Sequence, residues 1–185
     1  YGAVTAMDFA PNNDILLCGY EKGHLVLWSL VKKNEHLKTI APVDISPIFC
    51  IKFWKEGTNN AIVSNGNGAV YLYEFNYKFF QWVADKKMLL NHGEDKRKGI
   101  KDKMGDFPTG FFTMRVLKKE HTQGHPLNKY TLVALASMKM VLVVSLEPTP
   151  NIIYKFDRPT HINDLSISCI SWGRGALPGI FLTKI

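Results

Sequence analysis

Cysteine is scarce in this 185-residue sequence, and features of secreted or membrane-spanning chains are missing. There are three cysteines, an odd number, with no CxxC pair, and no Asn-x-Ser/Thr site occurs. Both absences fit a reducing cytosol, with the three thiols free and buried. The longest apolar stretch, Tyr130–Leu146, is interrupted by Lys139 and is too short to cross a bilayer. No transmembrane segment is therefore expected.

Long helical periodicity is also missing, and the composition points to strands. Aromatic residues make up 12% of the chain, which favours β-structure, while 46% hydrophobic and 21% charged residues argue against wholesale disorder. The formal net charge is +7. This charge suggests an acidic partner, a nucleic acid or an anionic membrane, although solubility alone also explains a charge of this size.

Two segments of the sequence repeat. "YEKGHLVLWSL" matches "NGNGAVYLYEF", with Gly23 opposite Gly68 and Trp28 opposite Tyr73, at an offset of 45 residues. A four-stranded propeller blade takes about 40–45 residues. The Lys-Gly and Asn-Gly turns suit hairpins because glycine tolerates positive φ. The repeat therefore predicts successive blades, with the strands of Val26 and Val70 in equivalent places.

The segments upstream of this repeat also correspond. The alternating strand "GAVTAMDFAP" is expected to turn Val4 and Ala6 inward, with Met7 and Phe9 as further inward candidates. "SPIFCIKFWK" repeats that shape about 44 residues later. Short, evenly spaced strands would also suit a sandwich, but the offset favours a propeller.

The predicted fold class is all-β: a partial WD-type β-propeller of about three blades plus the start of another. The blades are placed at residues 2–45, 46–85 and 109–160, with an incomplete one at 164–185, and all belong to one N-terminal propeller. A basic inserted loop is placed at 86–106. A propeller ring takes about 4–8 blades, so further blades are expected outside this chain.

No catalytic, cofactor or metal site can be assigned from the sequence. His121 and His125 have i, i+4 spacing, but Gly124 and Pro126 argue against the helix that would bring them together. Asn65–Gly68 lacks the spacing of a phosphate loop and is interpreted as a hairpin turn. Gly173–Gly175 is interpreted as an ordinary turn. No nucleophile elbow or triad order is present. The chain is expected to be non-enzymatic and to need no cofactor.

Two charged or aromatic segments are candidates for partner contacts. Phe75–Lys87 interleaves aromatics with lysine, which fits either a nucleic-acid stacking platform or an outer blade strand whose alternate aromatics pack on the next blade; the second interpretation is favoured. The basic loop is expected to be a solvated excursion with little regular structure, or else a contact to anionic lipid or an acidic partner. Its candidate contact residues are Lys96, Arg97, Lys98 and Lys101.

The ordered set of motifs resembles a known family. "VTAMDFAPNNDILLCGYEKGHLVLWSL" resembles the first WD-type repeat of the vacuolar protein sorting-associated protein 8 family, and "HPLNKYTLVALASMKMVLVVSLEP" (His125–Pro148) is similar to a later family segment. The "ISWG" at Ile170–Gly173 fits the next blade. Ser29 follows Trp28 where the WD pair has Asp, so the hydrogen-bond network of ideal WD repeats is not expected.

The resemblance implies a non-catalytic interaction propeller of the CORVET endosomal tethering complex. It implies other CORVET subunits and an endosomal Rab GTPase as partners, with peripheral association at the cytosolic face of early endosomes, in vesicle-mediated transport and fusion. Nucleic acid is not expected as a partner. The alternative is a generic WD-repeat scaffold of another pathway, such as a ribonucleoprotein-associated one.

Overall fold

The computed structural model describes residues 1–32, 35–90, 110–117, 126–138, 140–157, 167, 169–172 and 180–183. The chain divides into two compact units, Tyr1–Gly110 and Phe111–Ile185. Both consist of antiparallel β-sheet, and the described part of the second unit adds a short 3-10 helix at Pro126–Lys129. The all-β class and the partial β-propeller are confirmed by three four-stranded sheets.

The first unit contains two four-stranded sheets, each with its strands in chain order. The strands of the first sheet are β1 Val4–Phe9, β2 Ile15–Tyr20, β3 Leu25–Ser29 and β4 His36–Ile40. The strands of the second sheet are β5 Ile48–Phe53, β6 Asn60–Asn65, β7 Val70–Lys78 and β8 Gln81–Leu90.

The central strands of both sheets share one register. Leu16 pairs with Trp28, and Ala61 pairs with Tyr73, 45 residues further on in both strands. The preceding turns are also equivalent, since Gly23 has φ 80° and Gly68 has φ 93°. These conformations favour glycine. The predicted offset of 45 is therefore confirmed for the second and third strands, and β3 and β7 occupy equivalent places.

The inward positions predicted for the first strand are partly wrong. Met7 and Phe9 are 57% and 51% exposed, and Val4 is also exposed. Ala6 packs against the core, and Asp8 on the same face is held by the second sheet. Because successive residues of a strand point to opposite faces, placing Ala6 and Asp8 toward the second sheet turns Met7 and Phe9 away from it. A register shift between Val4 and Ala6 interrupts this alternation before it reaches Val4.

The two sheets of the first unit pack on each other through β1, β2 and β5. A single buried cluster includes Leu17 and Leu27 of the first sheet and Ile51 and Val63 of the second. At the polar edge of this contact, Asp8 accepts hydrogen bonds from the Phe53 amide and the Lys52 ammonium, both at 2.9 Å. This packing buries a core that the two blades share.

The segment predicted as a single outer strand, Phe75–Lys87, is instead a hairpin. The chain reverses at Phe79 and Phe80, and Lys78 pairs with Gln81 across the turn. The prediction failed because the turn contains none of the glycine, asparagine or aspartate residues that mark hairpin turns. The inner aromatics Tyr71, Tyr73 and Phe75 are buried on one face of β7.

The boundary predicted between blade and basic loop is also wrong. Lys86 and Lys87 belong to β8, which continues to Leu90, and Leu89 and Leu90 are buried. Backbone pairing with β7 and burial of two leucines outweigh the local charge density on which the prediction relied. The remainder of the predicted loop, residues 91–106, lies outside the described residues.

The described residues of the second unit form one four-stranded sheet and one two-stranded sheet. Its four-stranded sheet has the order β12-β11-β10-β9, and its two further strands pair with each other. The strands are β9 Thr113–Leu117, β10 Thr131–Ala136, β11 Met140–Glu147, β12 Asn151–Asp157, β13 Cys169–Trp172 and β14 Ile180–Thr183. Trp172 donates from its indole Nε1 to the Arg115 carbonyl at 2.9 Å, which ties β13 to β9. The strands β9 to β12 lie within residues 109–160, where the third blade is predicted.

Candidate interaction surface

The most distinctive surface of the first unit lies at one end of its strands. β1, β3, β5 and β7 finish at this end, and their antiparallel partners begin there. Backbone hydrogen bonds fix the loops, because the Leu30 amide donates to Asp14 at 2.8 Å and the Phe75 amide to Asn59 at 3.2 Å. Loops held on a rigid sheet are where binding residues commonly sit.

A cleft of about 710 Å³ opens at this end, between the first sheet and the β7–β8 hairpin. Leu37 of β4 and Trp82 of β8 contribute apolar surface and pack against the core. The charged residues of the lining are mixed in sign: Asp14, Lys32, Glu35 and Lys38. A mixed rim gives no strong field of one sign, so the cleft is unsuited to a polyanion such as nucleic acid and better suited to a protein segment.

The β7–β8 hairpin extends beyond the rest of its sheet. The last pair that β6 makes with β7 is Asn60 with Glu74, whereas β7 and β8 continue as a two-stranded ribbon to Lys78 and Gln81. Tyr77 and Trp82 face each other across this ribbon with ring centroids 5.8 Å apart. We call residues 75–84 the aromatic ribbon.

The turn of the aromatic ribbon is unusual in conformation and exposure. Phe79 has φ 50° and Phe80 has φ 62°. Two central residues with positive φ in a two-residue hairpin correspond to a type I′ turn, which normally contains Asn-Gly or a similar pair. The two phenyl rings are 91% and 94% exposed. The turn therefore presents two rings to solvent on a strained backbone.

The buried tyrosines at the base of this hairpin are structural. Burial raises the pKa of the Tyr71 hydroxyl, and the charge of Asp44 adds to the shift. Burial raises the pKa of the Tyr73 hydroxyl further, followed by the effects of Tyr71 and Asp44. Tyr73 stacks on Phe75 with centroids 5.9 Å apart. Both hydroxyls stay neutral at physiological pH, which suits packing rather than proton transfer.

The structure describes only some of the candidate site and turn residues that were considered in the sequence. Lys96, Arg97, Lys98 and Lys101 lie outside the described residues, as do His121, His125 and Gly173–Gly175. The turn interpretation of Asn65–Gly68 is confirmed, because the Gly68 amide donates to the Asn65 carbonyl at 3.1 Å.

A polar network joins that turn to the connection between the two sheets. The side-chain amide of Asn67 donates to Asp44 at 2.7 Å, and that of Asn65 donates at 3.4 Å. Asp44 lies in the β4–β5 connection, so the network holds the second sheet to the link from the first. Within the described ranges, no cluster of three or more His, Cys, Asp or Glu could hold a metal ion.

Sequence reasoning missed the aromatic ribbon. A usable signal was present in "YKFFQW", where Tyr77 and Trp82, then Lys78 and Gln81, are arranged symmetrically about Phe79-Phe80. Such symmetry is what cross-strand pairing about a two-residue turn requires. Among the described residues, no helix has the length and apolar character needed to cross a bilayer.

Comparison with known proteins agrees with the sheet architecture. The family model described as the Vps8 beta-propeller matches residues 1–180. The "Vacuolar protein sorting-associated protein 8 homolog" of Mus musculus is 25% identical over 176 residues, and so is that of Homo sapiens. Each match covers 93% of this chain but only 11% of the relative. The three four-stranded sheets and a family match over nearly the whole chain agree, and the chain belongs to the Vps8 β-propeller family.

Proposed function

We propose that this chain is part of a non-catalytic interaction propeller in endosomal and vacuolar protein sorting. The observation that carries the proposal is the match to the Vps8 β-propeller family over residues 1–180. Its finer form is that the propeller serves a CORVET-type tethering complex at the cytosolic face of early endosomes, as an effector of an endosomal Rab GTPase. In this role the protein associates peripherally with the membrane and acts in vesicle tethering and fusion.

The physical basis of the effector role is differential affinity. The switch regions of a GTPase are ordered by the γ-phosphate and released after hydrolysis. A rigid surface that fits only the ordered form therefore binds the GTP-loaded state more tightly. The mixed-charge cleft and the fixed loops of the first unit offer such a surface, and the cleft's mixed charge does not favour the ribonucleoprotein alternative.

The test is a pull-down of the full-length protein by an endosomal Rab GTPase loaded with a non-hydrolysable GTP analogue or with GDP. Recovery should be at least ~10-fold greater with the GTP analogue, since allosteric couplings are typically 5–150-fold. Equal recovery with both nucleotides, or none with either, would remove the effector role from this protein.

A matched pair of charge reversals locates the contact. Lys38 lines the cleft, whereas Lys22 lies in the exposed β2–β3 turn at the opposite end of the strands. Lys38→Glu should weaken GTP-dependent recovery while Lys22→Glu leaves it unchanged. The reverse pattern would place the GTPase at the other end of the first unit.

The basic segment is a separate part of this proposal. We expect Lys96, Arg97, Lys98 and Lys101 to attract anionic lipid, because each basic residue near such a surface contributes about 1 kcal/mol at physiological ionic strength. Replacing all four with Ser should weaken binding to anionic vesicles, most clearly at low salt, without unfolding the domain. Vesicle binding that is unchanged at both low and moderate salt would leave these residues without a lipid role.

A further inference from the structure

Two phenylalanines at the tip of the aromatic ribbon are highly exposed, and no part that they play in the fold explains this exposure. Phe79 and Phe80 are 91% and 94% exposed, the highest values among the large apolar side chains of the described residues. Most apolar surface residues occur singly and need no explanation. These two are adjacent, and both project from the same two-residue turn.

The tip stands clear of the sheet. Beyond the pair of Asn60 with Glu74, four further pairs join β7 to β8 without a β6 partner, from Phe75–Ala84 to Lys78–Gln81. Four residues of antiparallel strand advance about 13 Å. Phe75 at the base is buried, and exposure rises to 60% at Tyr77. The rings of Phe79 and Phe80 are therefore held away from the core at the end of a short two-stranded ribbon.

Folding alone favours other residues in this turn. Positive φ disfavours a bulky L-residue because Cβ approaches the following carbonyl oxygen, whereas Asn and Gly adopt it readily. Phe79 and Phe80 adopt φ 50° and 62° and gain little burial in return. Strained backbone of this kind is typical of sites where the side chain acts on another molecule.

The side chains along the ribbon are of the kinds that occur at a membrane interface. The tip has two rings without polar atoms, the next pair is Lys78 with Gln81, and the pair below is Tyr77 with Trp82. Phenyl rings suit the acyl boundary, lysine suits lipid phosphate, and Tyr and Trp are enriched at the headgroup level. We propose that the tip of the aromatic ribbon inserts into the interface of an anionic lipid bilayer and anchors the propeller there.

Charge favours lipid over a protein pocket as the occupant. Phe80 forms part of the wall of the cleft whereas Phe79 does not, and the residues next to the tip, Lys78 and Gln81, are polar. Lys78 pairs with Asp85 at 3.6 Å, but both side chains are more than half exposed, so a lipid phosphate replaces this partner at little cost. The net charge of +7 adds long-range attraction to an anionic surface.

The test uses the full-length protein and vesicles of phosphatidylcholine with about one-fifth phosphatidylserine, a strongly anionic surface. The informative variant is Phe79→Asn/Phe80→Gly, because Asn-Gly is the preferred type I′ pair and keeps the hairpin. Loss of the two rings should weaken vesicle co-flotation at least ~10-fold. Phe79→Trp/Phe80→Trp should retain binding, because indole rings also suit the interface.

The control is Ile45→Ser. Ile45 is 87% exposed and lies in the β4–β5 connection, at the opposite end of the strands. This variant should bind vesicles like the native protein. The tip's contribution should also persist in moderate salt, unlike that of Lys96, Arg97, Lys98 and Lys101, because apolar insertion is not screened.

Several results would overturn the inference. Native-like vesicle binding by the Asn-Gly variant, absence of binding by the native protein, or an equal loss in Ile45→Ser would each do so. Loss of a protein partner by the Asn-Gly variant with vesicle binding intact would assign the tip to protein docking instead. No GTPase is present in this assay, so its outcome is independent of the proposed effector role.

Discussion

The first two sheets repeat one plan in their central strands and differ in their outer hairpins. Leu16–Trp28 and Ala61–Tyr73 are equivalent pairs, 45 residues apart. The outer hairpins are unlike: β3 stops at Ser29 after five residues, whereas β7 runs nine residues to Lys78 and turns at once into β8. The shared core constrains the central strands, and the outer connection is free to vary. Variation at such connections is where new interactions arise on a repeated scaffold.

The two sheets also differ at one position of the shared register. Gly19 of β2 corresponds to Ser64 of β6, and Ser64 is fully buried. A Cβ atom on Gly19 would lie 2.5 Å from Cγ2 of Ile48, the first residue of the next sheet. The first sheet therefore needs glycine where the second accommodates serine, because β5 approaches the backbone of β2 directly.

Exchange at this position should have the largest effect on stability. Gly19→Ser brings a side chain against the branched Ile48 and should destabilise the propeller by about 2 kcal/mol, within the range of overpacked cores. Ile48→Ala removes the two γ carbons, at 2.5 and 3.1 Å from that Cβ position, and keeps Cβ of residue 48 at 2.7 Å, so it relieves part of the overlap. The double variant should therefore be more stable than the sum of the two single changes predicts. Urea unfolding of all four proteins measures this coupling. Additive losses would show that β2 and β5 do not pack as described.

Removal of the polar contact between the sheets should have the second-largest effect on stability. Asp8 accepts from the Phe53 amide and from Lys52, each at 2.9 Å. Asp8→Ala leaves both donors without this acceptor and should lower the free energy of unfolding by about 1–2 kcal/mol. Glu56→Ala, on the exposed β5–β6 connection, is the control and should change stability by less than about 0.5 kcal/mol. Equal effects of the two changes would contradict this account of the contact.

Substitution at the tip of the aromatic ribbon should raise the stability of the protein instead of lowering it. Phe79→Asn/Phe80→Gly places preferred residues at two positive-φ positions and removes rings that are more than 90% exposed. Stability should rise by about 1 kcal/mol, measured by thermal unfolding. A fall in stability would mean that the rings support the fold. It would contradict the inference that their exposed positions destabilise the protein.

The smallest effect on stability is expected for a substitution that gives the first sheet the residue already present at the equivalent position of the second sheet. Cys18 corresponds to Val63 in the shared register, and both are buried. Cys18→Val should change stability by less than about 1 kcal/mol, because both side chains are small and apolar. A larger loss in urea unfolding would show that the surroundings of Cys18 and Val63 are less alike than their register indicates.

The parts of the fold that could be predicted from sequence are those marked by local chemistry. Gly23 and Gly68 predict turns with positive φ, and the spacing between them indicates the length of the blade repeat. The inward face of β1 could not be predicted, since Ala6 and Met7 are both apolar and only packing against the second sheet decides between them. The turn at Phe79 and Phe80 lacks turn residues altogether.

The candidate surface was less predictable than the fold because it depends on tertiary packing and not on local chemistry. Charge density drew attention to Lys86 and Lys87, yet pairing with β7 places both in a strand. The cleft combines side chains that are distant in sequence, such as Asp14 and Trp82, which no local pattern connects. Tertiary packing creates that site, whereas the strands that support it follow from alternation and turns.

Hydrogen exchange of the full-length protein, with and without anionic vesicles, tests most directly whether the two blades differ in function as they differ in form. We predict that vesicles slow amide exchange in residues 75–84, most strongly at Phe79 and Phe80, and leave the outer strands of the first sheet, Leu25–Ser29 and His36–Ile40, unchanged. Equal slowing in both sheets, or none in residues 75–84, would contradict the account.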